Sequence, residues 1–414
     1  MSHVYFDRYA YRSEIITHAP HPDLGLVVTI PCYKEEDLIV SLTSLHACLP
    51  TRQAVEIIVV INHPINANPD IKALNLATFQ TAQAFAAIHS TDRKIYHIIL
   101  EELPQKHAGV GLARKIAMDE AARRFNTVGR PDGIITCFDA DSTCDTNYLA
   151  ALEHYFDEHD KATGVSIYFE HPLSGEMHHA NYQAIIDYEL FLRYYVHACR
   201  WAGFPWAHQT IGSSMAVRNV VYQQQGGMNR RKAGEDFYFL QKIIPLGNFG
   251  ELNSTTVRPS PRQSDRVPFG TGKAVHDWLK EGEWRTYSLN IFKDLQKLYT
   301  KLNSVDDFNQ LSITYLQDIP QPVSSFLISI DFEKHLTRII RHSPSLQTFF
   351  QHFHRWFDGF KVLKYVHFAR DHYYPNVPVK QAANELLQAM EYPAQDTAHD
   401  QLLLFRSMDR KHAP

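Results

Sequence analysis

The sequence predicts an α/β protein: a Rossmann-like, doubly wound, mostly parallel sheet followed by a mostly helical C-terminal extension. Three observations lead there. Short aliphatic and β-branched runs alternate with helix-forming segments through residue 138. Polar residues gather just past the carboxyl ends of those runs, where such sheets bind ligands. From about residue 275 onward strand signals fade and helical spacing dominates.

In chain order, "THAPHPD" (17–23) is a turn-rich lead-in, and residues 1–23 form an N-terminal arm. "LGLVVTI" (24–30) is a buried strand, expected to stop at Pro31, which has no N–H to donate. A helix to about Cys48 follows, with Glu35, Glu36 and Asp37 in a first turn that favours acids. "VEIIVVI" (55–61) is a second strand, an Ala-rich helix covers roughly 71–88, and "KIYHIIL" (94–100) is a third strand. "GVGLARKIAMDEAARRF" (109–125) is an amphipathic helix behind a glycine opening, and "GIITCF" (133–138) is a fourth strand. The main domain is expected over 24–275 and the helical region over 276–414. In the latter, Phe349, Phe353, Trp356, Phe357 and Phe360 recur at three and four. They read as a packed helix face, with Arg355, Lys361 and Lys364 keeping a membrane-surface or partner helix as the alternative.

The 414 residues are 44% hydrophobic and 21% charged, ample for a core and too apolar for disorder. A net charge of −4 gives no field that would bind nucleic acid unaided. The five cysteines include no CxxC pair, which argues against a zinc site and against a disulfide framework. Free thiols, an N-terminus without an apolar core and no apolar run near the ~18 residues of a span lead to the expectation of a cytoplasmic protein.

The chemistry centres on "CFDADS" (137–142), two carboxylates one residue apart at a strand end. Such a pair can hold a hard divalent cation, magnesium or manganese, with one oxygen left for a sugar hydroxyl or a water. It can equally be a solvated turn with Asp139 or Asp145 capping the next helix. "GTGK" (270–273) is not a P-loop: Val267 holds the first glycine position and Ala274 the Ser/Thr position. His178 and His179 have no partner at ligand spacing. The Arg-, Gly- and Pro-rich stretch 258–276 reads as a loop over a ligand, with Arg262 and Arg266 as its cations. Trp201, Trp206 and His208 could stack on a sugar ring or pack in a core.

Six motifs in order over residues 24–250 resemble the nucleotide-sugar glycosyltransferases of GT-A fold, in the large inverting family that includes cellulose and chitin synthases. They are "VVTIPCYKEE", "VEIIVVINHP", "GVGLARKIAMDEA", "CFDADS", "IGSSMAVRNVVYQQQGGM" and "GEDFYFLQKI". The resemblance implies a sugar nucleotide across the strand ends, with Pro31, Tyr33 and Glu35 on the base and ribose side and Asn62 at the base edge. It implies Arg114 at the diphosphate with Arg262 and Arg266 as candidate clamps on it, Asp141 as main ligand of Mn2+ or Mg2+, Asp139 nearer the ribose and His276 completing the shell. It also implies Asp236 as the base that deprotonates the acceptor hydroxyl, held ionised by its helix N-terminus, and Glu235 orienting the acceptor. The acceptor would be a glycan, a lipid-linked sugar or a small molecule. Departures from the pattern are Lys34, Asn62 with His63, and Lys115, each expected to fall in the donor pocket. Alternatives are a retaining transferase, a nucleotidyltransferase, and a sugar-nucleotide-binding scaffold without turnover.

Overall fold

Nine consecutive buried residues, Leu24–Cys32, form the middle strand of the parallel part of the sheet, because an aliphatic run with no polar alternation is stable only when both faces are covered. The computed structural model describes residues 2–264, 270–305, 307, 308, 311 and 318–411. Its elements run α1 (Ser2–Arg8), β1 (Leu24–Cys32), α2 (Leu38–His46), β2 (Ala54–Pro64), α3 (Pro69–His89), β3 (Lys94–Leu103), α4 (Val110–Thr127) and β4 (Ile134–Cys137). There follow β5 (Thr143–Cys144), α5 (Tyr148–Glu158), β6 (Gly164–Phe169), α6 (His179–Trp201), β7 (Met215–Arg218), α7 (Asn219–Gln224), α8 (Glu235–Ile243) and β8 (Phe249–Arg258). The remainder is α9 (Thr271–Glu281), β9 (Arg285–Thr286), α10 (Leu289–Asn303), α11 (Gln321–Ser329), α12 (Phe332–Arg341), α13 (Leu346–Trp356), α14 (Gly359–His372), β10 (Val377–Pro378), α15 (Val379–Ala389) and α16 (Ala398–Lys411).

The doubly wound α/β class expected from the sequence, with helices dominating the C-terminal part, is what the chain adopts. The main sheet has the order β3-β2-β1-β4-β7-β6-β8-β5. It is parallel from β3 to β4, then mixed: β7 runs antiparallel to both β4 and β6, and β5 antiparallel to β8. Strand order reverses between β1 and β4, and in sheets of this kind such a reversal defines the crevice beyond the carboxyl ends where ligands bind.

Two local expectations are corrected. Pro31 does not end β1, which continues to Cys32 in register with Ile61. Pairing with β4 stops at Thr29, so Pro31 has a strand on one side only, where a missing donor is tolerated. Glu35, Glu36 and Asp37 precede α2 rather than forming its first turn. The backbone instead turns at Lys34, which takes a left-handed φ of 52° and donates its N–H to Asn75 Oδ1 at 3.0 Å.

The chain forms two compact units. The first comprises residues 1–185, 210–279 and 406–414; the second comprises 186–209 and 280–405. These segments interleave, whereas the sequence division places one cut at 275/276. In the second unit α10, α11, α13 and α14 pack through Phe292, Phe326, Phe353, Phe357 and Tyr365, whose hydroxyl donates to Ile291 O at 3.1 Å. Phe349, Phe353 and Phe357 are fully buried, so this aromatic stripe is a packed face. Among the described residues no helix is long and apolar enough to cross a membrane.

Residues 5–18 lie along α4. Asp119 accepts from Tyr5 (2.5 Å), Tyr222 (2.6 Å), Lys115 (3.1 Å) and the Tyr11 N–H (2.9 Å), and the Arg124 guanidinium reaches His18 O at 2.8 Å. Lys115 is therefore turned toward this network and not toward the donor pocket expected for it, because one residue on a helix rotates about 100° from Arg114. Asp119→Asn is expected to cost about 2 kcal/mol, since four donors then share a neutral acceptor. A lower urea midpoint at unchanged slope is the expected result; an unchanged midpoint would discount the network.

Candidate functional site

Two segments far apart in sequence meet at the crevice. On one side, β4 ends at Cys137, and Asp139 and Asp141 follow in a turn whose Ala140 carbonyl accepts from Ser41 Oγ at 2.8 Å. On the other, Gly234 takes a left-handed φ of 67° and starts α8, placing Glu235 and Asp236 in its first turn. Arg114, in the first turns of α4, joins the two. Its Nη2 donates to Asp139 Oδ1 (2.9 Å), its Nε to Glu235 Oε1 (3.2 Å) and its Nη1 to Gly212 O (2.7 Å). Close approach here requires glycine: a Cβ at Gly212 would lie 2.8 Å from Arg114 Nη2 and 3.1 Å from Asp236 Oδ2. At Gly111 a Cβ would lie 2.2 Å from Arg231 O.

Electrostatics follow from burial. Arg114 is 1% exposed; desolvation works against its charge, but Asp139, Cys137, Glu235 and Asp236 outweigh it and raise its pKa. Glu235 is 3% exposed and pushed up to about 7 by burial and then by Asp236, with Arg114 opposing. Asp236 is also shifted upward by burial, although the Phe237 N–H donates to its Oδ1 at 2.7 Å. The expectation that the helix N-terminus keeps Asp236 ionised meets an opposing influence: burial, with Asp139 adding to it, shifts its pKa upward.

A second cation stands over the acids that precede α2 and follow β4. Arg262 pairs with the buried Glu35, with Asp37 (3.2 Å) and with Asp141 (3.3 Å). Glu35 is fixed from below, its carboxylate accepting the Asp37 N–H (3.0 Å) and its carbonyl the Thr78 hydroxyl (2.9 Å). Tyr33 is half-buried on the same segment, directly after β1, which carries Pro31. Asn62 is buried at the end of β2, with its carbonyl held by Asn75 Nδ2 at 2.8 Å. The adjacent His63 sits 3.2 Å from Glu102.

Several sequence expectations change. Arg114, placed at the diphosphate by the resemblance and otherwise read as a surface salt bridge, is buried with three protein partners and links the two acidic segments. The metal shell of Asp139, Asp141 and His276 is not assembled. Among the described residues no three His, Cys, Asp or Glu side chains are grouped so as to hold an ion. His276 lies half-buried within α9, which begins at Thr271, so a helix rather than a free loop carries it. Arg266 lies outside the described residues. Trp206 belongs to the second unit and packs on His354 at 5.9 Å. Gly212 and Asn75 were given no role in the sequence, and Asp37 stood there only as an acid of a helix first turn. Gly212 sits in the quoted "IGSS", while Asn75 gives no signal inside a helical run.

No protein-family model matches the chain, and no curated protein matches it. Among solved structures, S. aureus TarS 1-349 in complex with UDP-GlcNAc aligns with a TM-score of 0.40 and 12% identity, covering 94% of this chain and 91% of that one. The same fragment in complex with UDP aligns at 0.38 and 12%, covering 94% and 88%.

Proposed function

We propose that the chain is an inverting glycosyltransferase that moves a hexosyl group from a nucleoside-diphosphate sugar to an acceptor hydroxyl on a glycan, a lipid-linked sugar or a small molecule. The observation that carries this reading is the Arg114 bridge. It sets a strand-end acidic turn, suited to a sugar nucleotide, beside a buried carboxylate pair with raised pKa, suited to general-base work.

Asp139 would bond the ribose or sugar hydroxyls, with Glu35, Tyr33 and Pro31 toward the base and Asn62 offering an amide to the base edge. The acceptor oxygen attacks the anomeric carbon, the bond to the diphosphate oxygen breaks, and the nucleoside diphosphate leaves with the electron pair. The hydroxyl proton passes to Asp236, whose upward-shifted pKa makes it a stronger base than an exposed aspartate. Glu235, held by Arg114, orients the acceptor and shares the proton load. Arg262 supplies positive charge to the diphosphate, as Arg266 would from the same loop.

The oxygen atoms of Asp139 and Asp141 suit a hard divalent cation by charge and atom type, with no third protein ligand grouped beside them among the described residues. Glu35, Asp37, Asp139 and Asp141 set four carboxylates against the guanidiniums of Arg114 and Arg262, so an incoming diphosphate needs further positive charge. Asp141 and Asp139 would hold Mn2+ or Mg2+, which when bound neutralises charge developing on the leaving diphosphate.

The test is a thermal-shift panel of nucleoside diphosphates and sugar nucleotides, with and without manganese, on wild type and Asp141→Ala. A manganese-dependent rise for one nucleotide, lost in the variant, is expected. A folded protein that no nucleotide stabilises would overturn the reading in favour of a different ligand.

A further inference from the structure

The five cysteines are thiols, and two of them, Cys48 and Cys144, face each other. Cys48 Sγ lies 3.7 Å from Cys144 Sγ, across 96 residues of chain. Both sites are held in place. The Cys144 N–H donates to Ser44 Oγ at 2.8 Å, and that oxygen lies 3.5 Å from Cys144 Sγ. Lys94 Nζ donates to the carbonyls of Leu45, His46 and Cys48 at 3.3, 3.1 and 3.3 Å, fixing the end of α2 and setting a cation beside it. By contrast Cys32, Cys137 and Cys199 are at most 2% exposed, within the core.

We propose that Cys48 and Cys144 form a reversible dithiol–disulfide site that hydrogen peroxide oxidises. The two thiols play different parts. The hydrogen bond from Cys144, offset by burial and aided by Lys94, lowers the Cys48 pKa, while the same contact and burial drive Cys144 upward. The Cys48 thiolate attacks one peroxide oxygen; the S–O bond forms, the O–O bond breaks, and hydroxide leaves. Cys48 is then a sulfenic acid. The Cys144 sulfur attacks Cys48 Sγ, the S–S bond forms, and the S–O bond breaks with loss of water as the Cys144 thiol gives up its proton. Two thiols and one peroxide become one disulfide and two waters. Cys144, on β5, is partly exposed, whereas Cys48 is 6% exposed, which admits a small oxidant and disfavours a bulky one.

The bond has a consequence for the donor site that rests on the transferase reading, whereas its formation does not. Cys144 lies three residues beyond Asp141, and α2 already holds the same turn through Ser41 and Ala140. A covalent tie between the segment after α2 and β5 shortens the 3.7 Å sulfur separation to a bond and pulls on the turn that Arg262 and Arg114 hold.

The reduced full chain is treated with stoichiometric hydrogen peroxide, alkylated, digested and mapped by mass spectrometry. A Cys48–Cys144 linked peptide is expected, with Cys32, Cys137 and Cys199 alkylated, and dithiothreitol should abolish the link. Cys144→Ser should retain Cys48 as sulfenic acid or its further oxidation products; Cys48→Ser should leave Cys144 alkylatable. Because Cys48 is buried, the Cys144 variant serves as the folded control. Both thiols alkylated after treatment, or both carried to sulfinic acid without a link, overturns the proposal. The nucleotide panel is then repeated on the oxidised chain. A smaller shift than in the reduced chain supports the regulatory consequence. A linked peptide with an unchanged shift overturns that consequence, and absence of any shift in the reduced chain overturns the donor-site reading alone.

Discussion

Asp236→Asn is expected to lower the transfer rate about 10³-fold while leaving nucleotide stabilisation intact. Asparagine keeps the shape and an oxygen to accept the Phe237 N–H, which lies 2.7 Å from Oδ1 in the native chain. It cannot take a proton from an acceptor hydroxyl. The substitution also removes the charge that contributes to the upward shift of Glu235, so it should not unfold the protein. The donor-side carboxylates Asp139 and Asp141 are untouched, which is why nucleotide binding should persist. Initial rates at saturating donor, with the nucleotide that the thermal-shift panel identifies, give the result. A rate within about threefold of wild type would remove Asp236 from the mechanism, and equal loss of nucleotide stabilisation would assign it to binding.

Arg114→Ala is expected to destabilise the fold by about 3–5 kcal/mol, because it strips the cation from between buried carboxylates. The loss should also depend on pH in a definite direction. Glu235 titrates near 4.5 when unfolded and near 7 when folded, so the folded state holds the extra proton between those values. Stability from this group is lost as pH rises through that window. Without Arg114 the folded pKa moves further up, and the loss continues to higher pH. The gap between variant and wild type should therefore be smaller at about pH 5 than at about pH 8. Chemical denaturation at the two values checks it. A gap that narrows with rising pH would show that Arg114 does not hold Glu235.

The alternation of strand and helix was legible because buried parallel strands must be continuous aliphatic runs, and β1 and β2 are exactly such runs in composition. The short strands β5, β6 and β7 were not, since two to six residues without alternation give no period to read. In the site, Asp139, Asp141, Glu235 and Asp236 stood out because charges at element ends need a reason. The part Arg114 plays did not. Nothing in "GVGLARK" tells a guanidinium aimed at solvent from one that crosses to Glu235, 121 residues later. Lys115 misled although its ion-pair partner Asp119 stands four residues on; Tyr5, in the same network, lies 110 residues earlier.

The segment around Asp409 belongs to the first unit, where its carbonyl accepts from Asn253 Nδ2 at 2.7 Å, 156 residues away. Arg410 likewise reaches Thr256 Oγ1 at 3.0 Å. During synthesis, β8 thus emerges long before these partners exist. Translation of the intervening helical unit separates the two, so until it is complete these side chains of β8 bond to water, and this part of the first unit closes only at the end of synthesis.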